Sequence, residues 1–249
     1  MQEGLFAVMK NNKNAILGVL GGMGPLSSAE FLTTIYEQGM DKREREQDAP
    51  AVIVYSDPTF PDRTEALLQG KEGMILEQLT TALHRLCGFG VSKIVICCMT
   101  IHYLLPALSA ELRKRIISLL DVIFTRIEQI GSKNLMICSH GSRALNLFQR
   151  HEQWGRVKGL VVFPDDRDQR RIHDLIYEIK KNRLIPETAR YLETLCSRYE
   201  VSSFIVGCSE IHLPAKRFFS LEGDKQKYDC VDPFMIIAQQ FVENTHDIE

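Results

Sequence analysis

The segment from residue 94 to residue 102 reads Ile94-Val95-Ile96-Cys97-Cys98-Met99-Thr100-Ile101-His102. An apolar run typical of a β-strand ends in a thiol, and a histidine follows four residues after Cys98. The arrangement returns once, in Phe204-Ile205-Val206-Gly207-Cys208-Ser209-Glu210-Ile211-His212. Both copies contain Cys-x-x-Ile-His, and Leu-Pro-Ala follows each of them. Two matching strands that end in cysteine predict two similar halves, with the two thiols facing each other across one site.

Apolar and amphipathic segments alternate along the rest of the chain. Further strands are predicted at 15–20, 51–55, 135–138 and within 157–163. Helices are predicted at 27–38, 74–87, 121–130, 143–151, 168–181 and 186–199, and a last strand and helix after Asp229. This alternation is typical of an α/β fold, with a parallel sheet covered by helices on both faces. Ligands of such sheets bind at the carboxyl ends of the strands, where both cysteines lie.

Composition limits the classes of partner. The chain has 249 residues and a formal net charge of −2, without a long run of one sign, so neither nucleic acid nor a membrane surface is expected as a partner. No segment approaches the roughly 18 apolar residues of a membrane span. The polar lead-in over 1–14 has no features of a signal peptide. Seven cysteines are an odd number, which favours reduced thiols and a cytoplasmic protein.

A pair of thiols is suited to two-base proton transfer at a carbon atom. One thiolate removes a proton, and the other thiol returns one from the opposite face, so the product is the mirror image. The reference pKa of a thiol, about 8.5, makes both of its forms accessible near neutral pH. We therefore predict Cys98 and Cys208 as catalytic residues. The other cysteines are interpreted as small core residues: Cys87, Cys97, Cys138, Cys196 and Cys230.

Two other kinds of site remain open from the residues alone. Cys98 with His102 and Cys208 with His212 are each spaced i,i+4, and together they contain the ligands of a Cys2His2 zinc site. A protein that binds an acidic ligand without catalysis is also compatible with the pattern. Such a protein would hold its ligand without exchanging a proton at a carbon atom.

Two loops that follow predicted strands contain groups suited to carboxylates. Gly21-Gly22-Met23-Gly24-Pro25 matches neither a Walker A loop nor a full dinucleotide-binding motif, but its free amides could hold a carboxylate at the start of a helix. Arg63, in the loop after the second strand, could form a bidentate pair with a carboxylate. Both features also have ordinary structural explanations, as a tight turn and a solvated side chain.

Four motifs in order along the chain resemble those of the aspartate/glutamate racemases, which belong to the Asp/Glu/hydantoin racemase superfamily. They are Gly21-Gly22-Met23-Gly24-Pro25, Pro61-Asp62-Arg63-Thr64, Cys98-x-Thr100-x-His102 and Gly207-Cys208-Ser209-Glu210. The resemblance implies two flavodoxin-like parallel-sheet halves related by a pseudo-two-fold axis, with the active site between them. It assigns residues 1–117 and 229–249 to the half that carries Cys98, and residues 118–228 to the half that carries Cys208.

The resemblance also implies roles for individual residues. Met23, Gly24, Thr100 and Ser209 lie on the carboxylate-binding side, and Arg63 binds the side-chain carboxylate. The family's lysine corresponds to Lys180, with Lys181 and Arg171 as alternatives. Substrate contacts are also expected from Met99, Ser139, Ser142 and Glu210, and His102 and His212 are expected next to the site.

The chain departs from the family pattern at two places that bear on substrate range. Met99 occupies a position where the family usually has asparagine, and Ser139-His140-Gly141-Ser142 replaces a threonine-rich loop. The resemblance implies a racemase of aspartate that needs no cofactor or metal and commonly forms a homodimer. Glutamate or a substituted aspartate are alternative substrates, and a hydantoin racemase or decarboxylase is the alternative within the superfamily.

Overall fold

The computed structural model describes residues 15–40, 45–222 and 228–246. Two four-stranded parallel sheets form its framework, which confirms the predicted α/β class. The strands of the first sheet are β1 (Ile16–Gly21), β2 (Ala51–Ser56), β3 (Lys93–Ile96) and β4 (Ile116–Ile117). Those of the second are β5 (Asn134–Cys138), β6 (Val161–Val162), β7 (Ser203–Gly207) and β8 (Asp229–Val231). The lead-in predicted at 1–14 lies outside the described residues.

Helices connect and cover the strands. Along the first sheet they are α1 (Pro25–Glu37), α2 (Arg63–Leu68), α3 (Glu72–Gly88), α4 (Ala110–Arg115) and α5 (Leu119–Ile130). Along the second they are α6 (His140–Ala144), α7 (Trp154–Val157), α8 (Asp166–Lys180), α9 (Ile185–Arg198), α10 (His212–Glu222) and α11 (Pro233–His246). Short 3-10 helices occur at Glu46–Asp48, Thr100–Ala107, Lys158–Leu160 and Ser209–Ile211.

The second sheet repeats the strand order of the first. The orders are β2-β1-β3-β4 and β6-β5-β7-β8, with every pairing parallel. This order is that of the first four strands of a flavodoxin-like sheet. Cys98 follows β3 and Cys208 follows β7, which occupy the same position in their sheets. The prediction of two similar halves, each with a cysteine at the end of the equivalent strand, is therefore confirmed.

Three apolar clusters pack against the sheets, and one of them is shared by both halves. One face of β1, including Leu17 and Val19, joins residues of the second half such as Met136 and Ile205 in this shared core. Helices α1, α5 and α11 contribute to it. The opposite face of the first sheet packs on α2 and α3, and that of the second sheet packs on α8 and α9. The alternation of side chains along each strand places one set in the shared core and the other outside it.

The segment after residue 228 has contacts with both halves. The sequence-based division assigned 229–249 to the first half. Strand pairing instead places β8 beside β7 in the second sheet. Helix α11 packs against α1 and α5. The β-strand of this segment thus extends the second sheet, while its helix packs on two helices of the first half.

The helix predicted at 143–151 is wrong in extent. Helix α6 starts earlier, at His140, because the Ser139 hydroxyl caps it by accepting a hydrogen bond from the Ser142 N–H at 3.2 Å. It ends at Ala144, and Asn146 has a φ of 50°, a left-handed conformation that an α-helix cannot continue through. Turns occupy the rest of the segment.

Candidate active site between the two halves

Cys98 and Cys208 line the same cavity, which lies between the carboxyl ends of β3 and β7. Both are nearly buried, with 5% and 6% of their surfaces exposed. The cavity is narrow, with a volume of about 20 Å3. Other polar residues of its lining come from both halves: Asp62, Arg63, Thr64, Thr100, Ser139, Tyr177, Lys180, Ser209 and Glu210. The apolar part of the lining is formed by Met23, Met99 and Ile176.

Arg63 is the first residue of α2, so its guanidinium enters the cavity from the start of that helix. Its Nη2 donates to the Met23 carbonyl at 2.6 Å, and its Nη1 donates to the Pro61 carbonyl at 2.8 Å. Burial lowers the pKa of Arg63, but nearby Cys98 and acidic groups outweigh burial and raise it. Nε is buried and has no hydrogen-bond partner. A fixed cation with a free N–H donor therefore faces the cavity.

Lys180 reaches the cavity from the second half, at the end of α8. Its Nζ lies 3.5 Å from Asp62 Oδ2 and 4.1 Å from the centre of the Tyr177 ring. The Tyr177 hydroxyl donates to the same Asp62 oxygen at 2.8 Å. Burial and this hydrogen bond raise the pKa of Tyr177, so its hydroxyl stays protonated. Of the three candidates for the cationic position, only Lys180 lines the cavity, since Lys181 pairs with Glu178 and Arg171 is exposed.

Asp62 and Tyr177 are cavity residues that the sequence interpretation did not select. Asp62 belongs to the Pro61-Asp62-Arg63-Thr64 motif and caps α2, so its position next to Arg63 was a usable signal. Tyr177 precedes Lys180 by three residues on α8 and therefore lies on the same face of that helix. Their contact joins residues 115 positions apart in the chain, which no local pattern indicates.

Three hydroxyls connect the halves beside Cys98. Thr100 Oγ1 lies 3.2 Å from Ser139 Oγ and 3.0 Å from Ser142 Oγ, and the two serine oxygens are 3.1 Å apart. Thr100 and Ser139 line the cavity, whereas Ser142, which contacts both, and Gly24 do not. The predicted polar positions are thus brought together, with Ser142 and Gly24 outside the lining of the cavity.

Cys208 is held as a thiol by its neighbours. Its Sγ–H donates to Glu210 Oε2 at 2.9 Å, and the Ser209 hydroxyl donates to the same oxygen at 3.1 Å. Burial, followed by the negative charge of Glu210 and this hydrogen bond, raises the pKa of Cys208 well above its ordinary value. The protonated form therefore dominates at neutral pH.

The glycine-rich turn after β1 places Met23 against the cavity. Gly22 has a φ of +88°, and a β-carbon there would lie 2.3 Å from the backbone of Asp57. Helix α1 starts at Pro25 rather than at the predicted Ser27, with proline in the first turn, where it is favoured. Position 22 thus requires glycine, because the loop that follows β2 packs directly on the turn.

His102 holds the backbone of the Cys98 turn rather than the thiol. Its Nε2 accepts a hydrogen bond from the Leu119 N–H at 3.1 Å, so Nδ1 carries the proton and donates to the Cys98 carbonyl at 2.9 Å. Burial lowers the pKa of His102 to about 4. A neutral imidazole therefore ties the cysteine turn to the start of α5.

His212 occupies the equivalent position of the second half and has a different environment. Its Nδ1 pairs with Asp232 Oδ2 at 2.6 Å, and its Nε2 lies 3.0 Å from Thr34 Oγ1. The Thr34 hydroxyl donates to the Glu30 carbonyl at 2.8 Å, so it accepts from His212. Both ring nitrogens of each histidine are therefore used by protein groups, which argues against a Cys2His2 zinc site. In the ranges that the structure describes, no group of three or more His, Cys, Asp and Glu could hold a metal ion.

A larger cavity of about 620 Å3 lies on the other side of the Thr100–Ala107 helix. Neither cysteine lines it. Several of its charged groups have partners, such as His151 with Asp121 at 2.9 Å and Arg150 over the Tyr103 ring at 4.9 Å. The narrow cavity at the strand ends, which contains both thiols, is therefore the candidate active site.

The fold and the paired strand-end cysteines define an α/β protein of two repeated halves with a site between them. The profile of the Asp/Glu/hydantoin racemase family matches residues 20–240. This chain therefore belongs to the Asp/Glu/hydantoin racemase family, as the motifs indicated, and the family assigns it to the racemases, a class of isomerase.

Solved structures of racemases share this fold. Picrophilus torridus aspartate racemase is similar with a TM-score of 0.75 and 20% identity, over 93% of this chain and 94% of that chain. An aspartate racemase homologue from Pyrococcus horikoshii OT3 has a TM-score of 0.68 and 20% identity, over 93% and 99% of the two chains. Francisella tularensis glutamate racemase, in complex with D-glutamate, has a TM-score of 0.60 and 14% identity, over 93% and 81%. These likenesses confirm the predicted two-halved fold.

Proposed function

We propose that this protein interconverts L- and D-aspartate without pyridoxal phosphate or another cofactor. The observation that carries the proposal is that Cys98 and Cys208, from equivalent strand ends of the two halves, line one cavity. Membership of the racemase family supports the reaction type. Arg63 and Lys180 in the same lining support an acidic substrate.

The proposed reaction is a proton transfer between two thiols through the substrate. A thiolate takes the α-proton, so a Cα–H bond breaks and an S–H bond forms. The electron pair left on Cα then takes the proton of the other thiol, from the opposite face. The product has inverted configuration, and the two cysteines have exchanged their protonation states.

The environments of the cysteines support one starting state. Cys208 is the thiol, because its S–H is bonded to Glu210 and its pKa is raised. Cys98 is assigned as the base that takes the α-proton, because the positively charged Arg63 guanidinium lies next to it. Substrate of one configuration is deprotonated by Cys98, and the other configuration requires the opposite assignment.

Arg63 is proposed to bind a carboxylate through its free Nε–H, and Lys180 adds positive charge on the opposite wall. The hydroxyls of Thr100 and Ser139 in the same lining supply further donors to the carboxylate oxygens. A hydantoin racemase would need an apolar wall where Arg63, Asp62 and Lys180 lie, so the charged lining favours the amino acid.

We also propose a homodimer that works in the cytoplasm, on the basis of the family resemblance and the free cysteines. In the part of the chain that the structure describes, none of the helices is both long and apolar enough to span a membrane. Light scattering coupled to gel filtration tests the dimer, and a mass of one chain contradicts it.

Exchange of the substrate α-proton with solvent tests the proposed reaction. Reduced, chelator-treated protein is incubated with L-aspartate in D2O without pyridoxal phosphate, and loss of the α-proton signal and of optical rotation is followed. We expect both losses to proceed together. L-glutamate and L-alanine, run in parallel, report the substrate range.

Variants connect that reaction to the two thiols. Cys98→Ser and Cys208→Ser should each reduce racemisation by at least about 1,000-fold, since each removes one of two obligatory acid–base groups. Cys87→Ser, a half-buried cysteine on α3, is the matched control and should keep full activity. Absence of exchange with aspartate and glutamate, in protein whose thiols titrate as free, would overturn the proposal.

A further inference from the structure

We propose that Glu210 binds the α-ammonium group of the substrate and thereby selects amino acids over other dicarboxylates. This inference rests on the proposed function, because it names the group that recognises the amine of the same substrate. Glu210 lines the cavity and is 3% exposed. Its Oε2 accepts hydrogen bonds from Cys208 and Ser209, whereas its Oε1 is buried and has no partner.

A buried carboxylate oxygen without a donor is unfavourable, so Oε1 is suited to a donor brought by a ligand. An ammonium group supplies both N–H donors and a positive charge. Neither cationic side chain of the lining donates a hydrogen bond to Glu210 Oε1. The Arg63 nitrogens that have partners donate to backbone carbonyls, and Lys180 pairs with Asp62.

Gly24 allows this oxygen to pack close to the glycine-rich turn. A β-carbon on Gly24 would lie 2.5 Å from Glu210 Oε1, and 3.3 Å from the hydroxyl of Ser27, which is also buried and unpartnered. The Glu210 carboxylate therefore packs directly against the glycine, and a side chain at position 24 would displace it.

The other acidic residue of the lining does not fit the same role. Asp62 Oδ1 accepts from the Glu65 N–H at 3.1 Å, and Asp62 Oδ2 accepts from Tyr177 and pairs with Lys180. Both of its oxygens are therefore occupied. Among the acids that line the cavity, Glu210 alone offers an unpartnered oxygen.

The free groups of the cavity match an amino acid as a set. Arg63 Nε is a buried donor without an acceptor, and Glu210 Oε1 is a buried acceptor without a donor. A carboxylate satisfies the first and an ammonium group the second. A dicarboxylate without an amine would satisfy Arg63 and leave the Glu210 oxygen unpaired, with like charges close together.

A comparison of aspartate with succinate, which has the same carbon skeleton without the amine, tests this inference. The affinities of both ligands are measured by calorimetry, with DL-aspartate used so that racemisation does not change the ligand. Wild-type protein should bind DL-aspartate at least about tenfold more tightly than succinate. Glu210→Gln should lose this preference, because it should bind aspartate more weakly than the wild type and succinate as well or better. A general loss of structure would weaken the binding of both ligands.

Two further variants complete the test. Gly24→Ala should reduce the preference too, because its β-carbon displaces the carboxylate while the charge is kept. Glu178→Gln, which removes an acidic group outside the cavity lining, is the matched control and should leave the ratio of the two affinities unchanged. If wild-type protein binds and racemises aspartate but Glu210→Gln keeps the wild-type ratio, the role of Glu210 is refuted and the proposed function stands. If wild-type protein neither binds nor racemises aspartate, both are refuted.

Discussion

The two cysteine turns share a sequence pattern and a place in the fold, yet they differ in the contacts of their side chains. Two residues after Cys98 comes Thr100, whose hydroxyl contacts Ser139 and Ser142 of the other half. Two residues after Cys208 comes Glu210, whose carboxylate bonds back to its own cysteine. The repeated fold therefore sets the position of each thiol, but the residue two positions later bonds to the thiol only in the second turn.

The histidines at the ends of the two turns also differ in the groups to which they are hydrogen-bonded. His102 is a neutral ring between two backbone groups, the Cys98 carbonyl and the Leu119 N–H. His212 is paired with the Asp232 carboxylate, and both residues are almost completely buried. One turn is therefore fixed by neutral hydrogen bonds and the other by a buried ionisable pair, which leads to different responses to mutation and pH.

The largest effect is expected for the buried pair. Asp232→Ala leaves His212 without its partner and removes the acceptor of the Phe234 N–H at the start of α11. We expect a loss of about 3–5 kcal/mol in the free energy of unfolding, measured by urea denaturation. Asp121→Ala, which removes the partner of the more exposed His151, is the control and should cost about 1 kcal/mol or less. Equal losses would mean that burial of the pair is energetically unimportant.

Acid should weaken the turn that contains His102. The pKa of this histidine is lowered to about 4 by burial, below the value of 6.5 expected in the unfolded chain. As the pH falls from 6.5 to 4, the unfolded chain binds a proton that the folded protein does not, so stability is lost across this window. The loss from His102 is about 3 kcal/mol.

The measurement compares wild-type protein with His102→Gln, which keeps a donor and an acceptor but does not titrate. Urea midpoints are recorded at pH 7 and pH 4.5. The variant should show a smaller drop between the two values, and the difference isolates His102 from the carboxylates that titrate nearby. An identical drop in both proteins would show that His102 binds its proton in the folded state.

Alkylation should distinguish the thiols by roughly tenfold in rate. The two cysteines are similarly exposed, at 5% and 6%, so access does not separate them. Iodoacetamide reacts with thiolates, and it should label Cys98 at least about tenfold faster than Cys208, whose pKa is raised. Peptide mass spectrometry measures both rates. Glu210→Gln should accelerate labelling of Cys208, and faster labelling of Cys208 in the wild type would reverse the proposed starting state.

The smallest effect is expected for the hydroxyl network beside Cys98. Thr100→Val keeps the shape of the side chain and removes its hydrogen bonds to Ser139 and Ser142. The expected loss is about 1 kcal/mol in the free energy of unfolding, because the two serines keep each other as partners. Thr80→Val, at a half-exposed position on α3, is the control for replacing a threonine hydroxyl.

The repeat was sufficient to predict where the cysteines lie, because parallel strands with helical crossovers bring equivalent strand ends to one side of each sheet. Local signals also gave most helices to within a few residues. The helix predicted at 143–151 failed because Asn146 adopts a left-handed conformation, which its sequence neighbours do not indicate. The strands of the repeat were thus more predictable than the connection from β5 to β6 within the second half.

Partners distant in the chain could not be predicted. The bond from Tyr177 to Asp62 and the pairing of His212 with Asp232 depend on how separate elements pack. The bond from Cys208 to Glu210 spans only two residues, but a 3-10 turn at Ser209–Ile211 is needed to form it, and the sequence predicted only the strand before it. Residue types indicated the chemistry, whereas tertiary packing decides which groups contact each other.

The shared apolar core has a consequence for protein synthesis. Phe31 of α1 packs against Phe234 of α11, with ring centres 5.1 Å apart, although the two helices lie at opposite ends of the described chain. During synthesis, the inner face of the first sheet, including Leu17 and Val19, therefore lacks the part of its cover that α11 and the second half provide. This core can be completed only after α11 has been made.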